Sequence, residues 1–194
     1  GGCVDISDSK ESSNINGIIW GGYPGMYGGQ AIADVIFGAY NPTGRLTQTW
    51  YKTDYVNQVK MVDMDMRPNS TAGPYGTSPG RGYRYFPGSV VYPFGSGLSY
   101  TTFTCTDITV NDNVFTTVVT NTGKVIGGGV VLVYFVPTNA GQNGLELKRL
   151  VGYARFDNLP VYAKETITME MYSQFYYNEA AKIEGKYILD GICA

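Results

Sequence analysis

The second half of the chain alternates apolar and polar residues in short segments, and this period of two constrains the fold most. From Phe103 onward the segments are FTCTDITV, VFTTVVTN, GVVLVYFVP, LKRLVGYARF, ETITMEMY and GKYILDGI. Turn-forming stretches such as VNDN, NTGK and NAGQNG separate them. Short strands at regular spacing predict an antiparallel β-sandwich of the fibronectin type III or immunoglobulin-like type.

Two cysteines lie at the ends of this predicted sandwich. Cys105 falls in the first strand and Cys193 follows the last, so a disulfide between them would join the two ends of the domain. Such a bridge implies an oxidising compartment, and two separate thiols are the alternative. Cys3 is left over, and the wide spacing of the three cysteines excludes a zinc knuckle or a CxxC redox motif.

The first half has a different pattern. GIIW, residues 17–20, is a short apolar run typical of a buried parallel strand. GGQAIADVIFGAY spaces Ile32, Val35 and Ile36 as on one face of a helix, and RLTQTWY then alternates like a further strand. These patterns predict a strand-loop-helix-strand segment of α/β type, which needs more strands and helices than this chain contains to cover its faces.

The glycine-rich stretch IIWGGYPGMYGG has the strand-loop-helix order of a dinucleotide-binding turn. Its glycines, however, are spaced as GxxGxxG rather than GxGxxG, and the chain lacks the GK[ST] of a phosphate-binding loop. The spacing therefore favours a structural glycine loop over a nucleotide site.

Residues 51–100 are rich in Tyr, Pro, Gly and Ser and have little periodicity. Fifty residues are too many for a passive loop in a compact domain, so we expect an ordered functional or packing loop, or a linker. Its tyrosines suit either an aromatic platform for sugar rings or the packing of core edges. The sequence leaves both interpretations open.

Composition narrows the function classes. Fourteen Lys and Arg residues against sixteen Asp and Glu, without a basic run, give no electrostatic footprint for nucleic acid or an anionic membrane. No apolar window is long enough for a membrane span. The chain has no histidine, which excludes Ser-His-Asp and Cys-His catalysis and histidine-based zinc sites. We expect neither a cofactor nor a metal.

MVDMDMRP places Asp63 and Asp65 two positions apart, as a paired-carboxylate acid/base site could require. A solvated edge, or ion pairs with Arg67, Arg81 and Arg84, is the favoured interpretation.

Asn69 begins NST, a sequon for N-glycosylation in a polar loop. Together with a disulfide it would indicate a secreted protein.

In their order along the chain, these blocks closely resemble the C-terminal third of glycoside hydrolase family 3. GGCVD, IIWGGYPGMYGGQAIADVIFGAYNPTGRLTQTWY and SPGRGYRYFPGSVVYPFGSGLSYTTF carry the resemblance, and MDMRPN is most similar to the β-xylosidase and α-arabinofuranosidase branch. The resemblance implies that residues 1–100 are the C-terminal remnant of an α/β sandwich domain with its exit loop. Residues 101–194 would form a fibronectin type III-like domain.

Members of that family are retaining glycosidases with an Asp nucleophile on a barrel domain and a Glu acid/base on the α/β sandwich. The resemblance places both upstream of these residues, so it identifies no catalytic residue here and implies a chain that is inactive by itself. Whether the parent protein is an active enzyme stays open.

The resemblance implies a secreted, non-catalytic portion that supports catalytic domains. An extracellular structural or interaction subunit derived from such a glycosidase is the alternative, and carbohydrate binding by the tyrosines is a third. The expected partners are the missing N-terminal catalytic domains, or another copy or subunit, that cover the cut edge of the α/β segment.

Overall fold

The structure is a computed structural model that describes residues 3–171 and 185–191. The described residues form two compact units: unit 1 is 3–39 and 46–94, and unit 2 is 40–45, 95–171 and 185–191. No helix among them is long and apolar enough to cross a membrane. The fold is mixed, mostly strand, and its sheets are separate.

Unit 1 is built from short elements. In chain order they are α1 Ser7–Glu11, α2 Gly28–Ile36, β1 Trp50–Tyr51, α3 Tyr55–Gln58, β2 Asn69–Gly73, β3 Gly76–Ser78, α4 Gly82–Tyr85 and β4 Val90–Tyr92. β1 pairs antiparallel with β4, and β2 pairs antiparallel with β3. The most buried apolar and aromatic side chains of the unit are Trp50, Val59, Tyr85 and Val91.

The predicted helix is confirmed as α2. Ile32 approaches Gly21, where an added Cβ would lie 3.5 Å from the Ile32 side chain. The helix ends where Phe37 N donates to the Ala33 carbonyl at 2.9 Å, and Gly38 follows with a φ of 75°. The left-handed conformation of Gly38 is the usual way to stop a helix.

The predicted strand at GIIW is wrong for this chain. Residues 17–20 lie in no strand, and Ile18 and Ile19 are 41% and 50% exposed. A parallel strand needs neighbours along its edges and layers over both faces, and the described residues do not supply them. Of the predicted strand RLTQTWY, only the last two residues form one, β1.

Unit 2 confirms every strand predicted for it. They are β5 Phe103–Asn111, β6 Val114–Asn121, β7 Gly127–Pro137, β8 Arg149–Leu159, β9 Lys164–Glu170 and β10 Gly185–Gly191. They form two antiparallel sheets, ordered β5-β6-β9 and β10-β7-β8. One core contains side chains from both sheets, among them Phe115, Val119 and Ile167 from the first and Val131, Val133 and Phe156 from the second. The unit is therefore a β-sandwich.

Residues 40–45 belong to this sandwich although they precede it by some fifty positions. Asn41 Oδ1 accepts hydrogen bonds from Ser99 Oγ at 3.1 Å and from Tyr100 N at 2.8 Å. Asn41 Nδ2 donates to the Gly128 carbonyl on β7 at 3.4 Å. The Asn41 side chain thus bonds both the segment just before β5 and strand β7. Residues 40–45 therefore form a strap, a short segment from the first half of the chain that is part of the sandwich. The predicted domain boundary after Tyr100 stays a prediction.

The cysteines are only partly described. Cys105 is half-buried on β5 at the edge of the core. Cys193 lies outside the described residues, so the predicted Cys105–Cys193 bridge stays a prediction. Cys3 is an exposed free cysteine whose Sγ donates to the Thr49 carbonyl at 3.5 Å, and burial of part of the thiol raises its pKa.

Asn121 is the buried polar centre of unit 2. Its Nδ2 donates to the carbonyls of Val125 and Leu159, both at 2.9 Å. Its Oδ1 accepts from Thr101 Oγ1 at 2.7 Å and from Gly123 N at 3.0 Å. One side chain thus joins the end of β6 to the end of β8 and to the start of the sandwich.

Replacing Asn121 with Ala should lower the free energy of unfolding of unit 2 by about 2–4 kcal/mol, because it leaves buried donors and acceptors without partners. Urea unfolding followed by far-UV circular dichroism measures this. Asn139→Ala, at an exposed position, is the matched control and should change stability little. Equal losses in both variants would contradict this role for Asn121.

Candidate functional site

The described residues contain no cluster of three or more Cys, Asp and Glu side chains that could hold a metal ion. The features that remain as candidate sites lie in unit 1: the glycine loop before α2, an aromatic cluster around the turn at Gly80–Gly82, and the acidic residues that the sequence singled out.

The glycine loop is shaped by close approach and by left-handed backbone. Gly22 and Gly25 have φ values of 59° and 66°, which favour glycine. A Cβ on Gly28 would lie 2.4 Å from the Pro24 side chain, so only glycine fits there. The residues exposed around these glycines are apolar, with Tyr23 88% and Met26 86% exposed. The loop therefore presents an apolar surface, as a structural glycine loop would, and no side chain suited to phosphate.

The aromatic cluster consists of Tyr51, Tyr55 and Phe86. The two tyrosine rings are stacked 3.7 Å apart and within 9° of parallel, and Phe86 meets them edge-on at 5.3 and 5.0 Å. The hydroxyl of Tyr51 accepts from Gly82 N at 2.6 Å, and that of Tyr55 donates to the Gly80 carbonyl at 3.4 Å. The cluster thus fixes the backbone of the Gly80–Gly82 turn.

The phenol of Tyr55 stays protonated under ordinary conditions. Burial, followed by its interaction with Tyr51, raises the pKa of Tyr55 well above its usual value. A neutral hydroxyl can donate to the Gly80 carbonyl, whereas a phenolate could not. Tyr55 is therefore a hydrogen-bond donor here and not a proton acceptor for chemistry.

Other rings of the long loop also contact protein groups. Tyr83 stacks on Phe94 with ring centroids 4.4 Å apart. The buried ring of Tyr85 lies under the guanidinium groups of Arg67 and Arg84, at 5.5 and 5.3 Å. Between packing and a platform for sugars, these contacts support packing.

Asp63 and Asp65 do different things. Asp63 is buried, and its Oδ1 accepts from Asp65 N at 3.0 Å, whereas Asp65 is exposed. Arg81 Nη2 donates to the backbone carbonyls of Lys60, at 2.8 Å, and of Asp63. The Asp63 carboxylate thus bonds nearby backbone and the Asp65 side chain is exposed, which supports the structural interpretation of this motif.

Asn69 begins β2, opposite Ser78 on β3. The residue is half-buried, its Oδ1 accepts from Thr71 N at 3.0 Å, and Ser70 and Thr71 are exposed. The sequon thus lies at the surface of the β2–β3 hairpin.

Asp5 is a site that the sequence analysis missed. Its Oδ1 accepts from the backbone N and the Oγ of Ser7, at 2.9 and 2.6 Å. Its Oδ2 accepts from the backbone N and the Oγ1 of Thr53, at 2.6 and 2.7 Å. These bonds lower the pKa of Asp5 well below its usual value, the Ser7 hydroxyl contributing most. An Asp two residues before a Ser at a helix start is the local signal, but nothing in the sequence indicates Thr53.

Lys10 makes a second contact between the first described residues and a distant segment of the chain. Lys10 Nζ, on α1, donates to the Val91 carbonyl at 2.6 Å and lies 4.5 Å from the centroid of the Tyr92 ring. Asp5 and Lys10 together attach the first described residues to β4 and to the segment after β1.

Residues 1–100 match the family described as glycosyl hydrolase family 3 C-terminal domain. The chain belongs to this family. The resemblance inferred from the sequence is thereby confirmed.

Relatives with β-xylosidase names cover most of the chain. A probable exo-1,4-beta-xylosidase, xlnD, of Aspergillus fumigatus is 37% identical over 195 aligned positions, which cover 87% of this chain and 24% of that protein. Beta-D-xylosidase 1 of Arabidopsis thaliana is 53% identical over 104 positions, which cover 54% of this chain and 13% of that protein. The chain spans about a quarter or less of the length of these relatives.

Solved structures of glycosidases are also similar to this chain. A family 3 exo-beta-xylosidase, XlnD, in complex with a xylobiose aziridine activity-based probe, superposes with a TM-score of 0.75 and 35% identity, covering 88% of this chain and 25% of that chain. A beta-glucosidase from Chaetomella raphigera gives a TM-score of 0.72 over 97% of this chain and 30% of that one, at 22% identity. The second likeness concerns the fold alone.

Asp5→Asn should destabilise unit 1 near neutral pH, because the amide cannot accept hydrogen bonds at both of its terminal atoms. The pKa of Asp5 is lowered by folding, so its stabilisation is full above the unfolded value of about 4 and is lost as pH falls further. The urea midpoint of the variant should therefore lie below that of the parent chain at pH 6, and the gap should narrow toward pH 3. Asp8→Asn, on α1, is the matched control; a gap that does not depend on pH would contradict this account.

Proposed function

We propose that this chain is the non-catalytic C-terminal portion of a secreted, retaining glycoside hydrolase similar to β-xylosidases and β-glucosidases, and that it supports the catalytic domains. The observation that carries the proposal is the alignment of 87% of this chain with only 24% of a probable exo-1,4-beta-xylosidase of Aspergillus fumigatus. The remaining three quarters of such a relative are long enough to contain catalytic domains.

The hydrogen bonds and ion pairs of the carboxylates support the non-catalytic part of this proposal. Retaining hydrolysis needs two carboxyl groups about 5 Å apart across an open sugar site. Many of the described carboxylates bond other protein groups. Examples are Asp5 with Ser7 and Thr53, Asp54 with Asn57 and Gln58, Asp63 with Asp65 N, Glu146 with Arg149, and Asp190 with Lys148.

Unit 1 offers the surface through which such support would act. Large apolar side chains are exposed on it, including Tyr23, Met26, Phe37 and Met61. Exposed apolar surface of this kind marks contact with other protein. We assign that contact to the preceding catalytic domains of the parent protein.

We further assign unit 2 to the fibronectin type III-like class. The first, second and fifth of its strands share one sheet, and the third, fourth and sixth share the other. Antiparallel strands distributed in this way over two packed sheets are typical of immunoglobulin-like sandwiches.

The second candidate function is a non-catalytic extracellular subunit used for assembly. The exposed apolar residues of unit 1 favour it, since another copy could cover them. Light scattering discriminates the two functions: association of the 194-residue chain at high concentration favours assembly, and a monomer removes its support.

The chain alone should not hydrolyse aryl β-xylosides or β-glucosides. A chimera in which it replaces the matching C-terminal part of the Aspergillus fumigatus relative should hydrolyse the xyloside, while the relative truncated before that part should not. Release of 4-nitrophenol measures all three proteins. Hydrolysis by the purified chain alone, or an inactive chimera, would overturn the proposed function.

Secretion predicts a modification at Asn69, which is the only sequon asparagine of the sequence. Chain produced through a yeast secretory pathway should carry a glycan that an N-glycan-specific amidase removes, as intact mass shows. Asn69→Gln and Thr71→Ala should abolish it, because both alter required positions of the sequon. Ser70→Ala, at the unrestricted middle position, is the matched control and should keep the glycan. An unmodified parent chain would exclude Asn69 as an acceptor.

A further inference from the structure

Arg45, in the strap of unit 2, is a half-buried cation without an acidic partner. Its side chain lies on the backbone of Gly97, where an added Cβ would be 2.8 Å from Arg45 Cδ and 2.9 Å from Arg45 Nη1. Within residues 3–171 and 185–191, no carboxylate forms an ion pair with it. Burial lowers the pKa of the guanidinium, but an arginine stays charged at any ordinary pH.

Most of the hydrogen-bond donors of this guanidinium are unused. Nη1 donates to the carbonyl of the adjacent Gly44 at 3.1 Å, and Nε is buried without an acceptor. In the part of the chain that the structure describes, Nη2 has no acceptor either. Burying a cation in this state costs free energy, and a carboxylate bound to the group would offset that cost.

Exposed apolar side chains lie next to Arg45 in the same unit. Leu98, which directly follows Gly97, is 88% exposed, and Tyr100 is 52% exposed. Asn41 holds this segment against the strap, since its Oδ1 accepts from Tyr100 N at 2.8 Å. Arginine and tyrosine are enriched where proteins contact one another. We call Arg45, Leu98 and Tyr100 the Arg45 surface.

We propose that Arg45 binds the carboxylate of an Asp or Glu side chain in the preceding part of the parent protein, and that Leu98 packs beside this ion pair. The inference rests on the proposed function and names the chemistry of one contact through which the chain supports that part.

Charge complementarity selects this occupant. A planar guanidinium can donate two parallel hydrogen bonds to one carboxylate, and arginine is the residue best suited to ion pairs at interfaces. The relatives are long enough to supply the acid, because the chain spans only 24% of the Aspergillus fumigatus protein.

A second copy of the chain fits the Arg45 surface less well. The commonest dimers of identical chains have two-fold symmetry and use the same surface on both copies. Residues 40–45, YNPTGR, and 95–100, GSGLSY, contain no Asp or Glu. The same surface of a second copy would therefore present another arginine and no carboxylate.

Carboxyl labelling of the chimera described above tests the inference. A carbodiimide with glycine ethyl ester modifies accessible Asp and Glu side chains, and peptide mass spectrometry locates the modified residues. Arg45→Met should raise the labelling of one carboxylate in the Aspergillus part several-fold, because that group loses the cation that covers it. Lys124→Met removes an exposed cation of unit 2, is the matched control and should leave the labelling unchanged.

Stability separates this role from packing within the chain. Breaking an interface ion pair leaves the partner's charge unpaired, so Arg45→Met should shorten the half-life of the chimera's xylosidase activity at elevated temperature about tenfold or more. The urea midpoint of the free chain should not fall, because Arg45 has no acidic partner there. Arg45→Lys keeps the charge and should retain part of the half-life. A fall in the urea midpoint of free Arg45→Met would show a role within the chain and would contradict the inference.

The outcomes separate the two proposals. An active chimera in which Arg45→Met changes neither carboxyl labelling nor half-life overturns the ion-pair inference and leaves the proposed function standing. An inactive chimera without a change in labelling overturns both. If Arg45→Met instead raises the labelling of a carboxylate within the 194 residues, the partner is the chain itself or a second copy, and the inference is overturned.

Discussion

A strand is stable only when its edges are paired and its apolar faces are covered, and the two units of this chain meet that requirement to different extents. In unit 2, six strands pair in two sheets and enclose one core. In unit 1, strands are only two to five residues long, and GIIW joins none of them. The contrast separates a β-sandwich with one enclosed core from a unit whose strands pair only in short two-stranded sheets.

Unit 1 is held together by polar and aromatic contacts where sheet pairing is short. Tyr51 and Tyr55 fix the Gly80–Gly82 turn, and the Asp5 carboxylate joins two distant segments. Such contacts order irregular backbone because they give hydrogen-bond partners to backbone N–H and C=O groups that are not paired in a β-sheet. The same contacts engage the hydroxyls of Tyr51 and Tyr55 and both carboxylate oxygens of Asp5 in holding the fold.

Much of the fold could be predicted because it depends on local pattern. Alternation in unit 2 predicted all six strands, since each strand contributes side chains to one shared core. Helical spacing gave α2. The tether from Asp5 to Thr53 and the strap from Asn41 to Gly128 could not be predicted, because each joins residues far apart in sequence. The family could be inferred because its blocks occur in a fixed order.

The sequence by itself determined which segments have strand and helix character, the absence of histidine chemistry and the family. Only the tertiary structure decided which of those segments are covered. GIIW has the composition of an interior strand, yet Ile18 and Ile19 are exposed, because burial depends on neighbours that a local pattern cannot provide. The tertiary structure also decided that residues 40–45 belong to the sandwich, since the Asn41 side chain binds backbone groups that only folding brings to it.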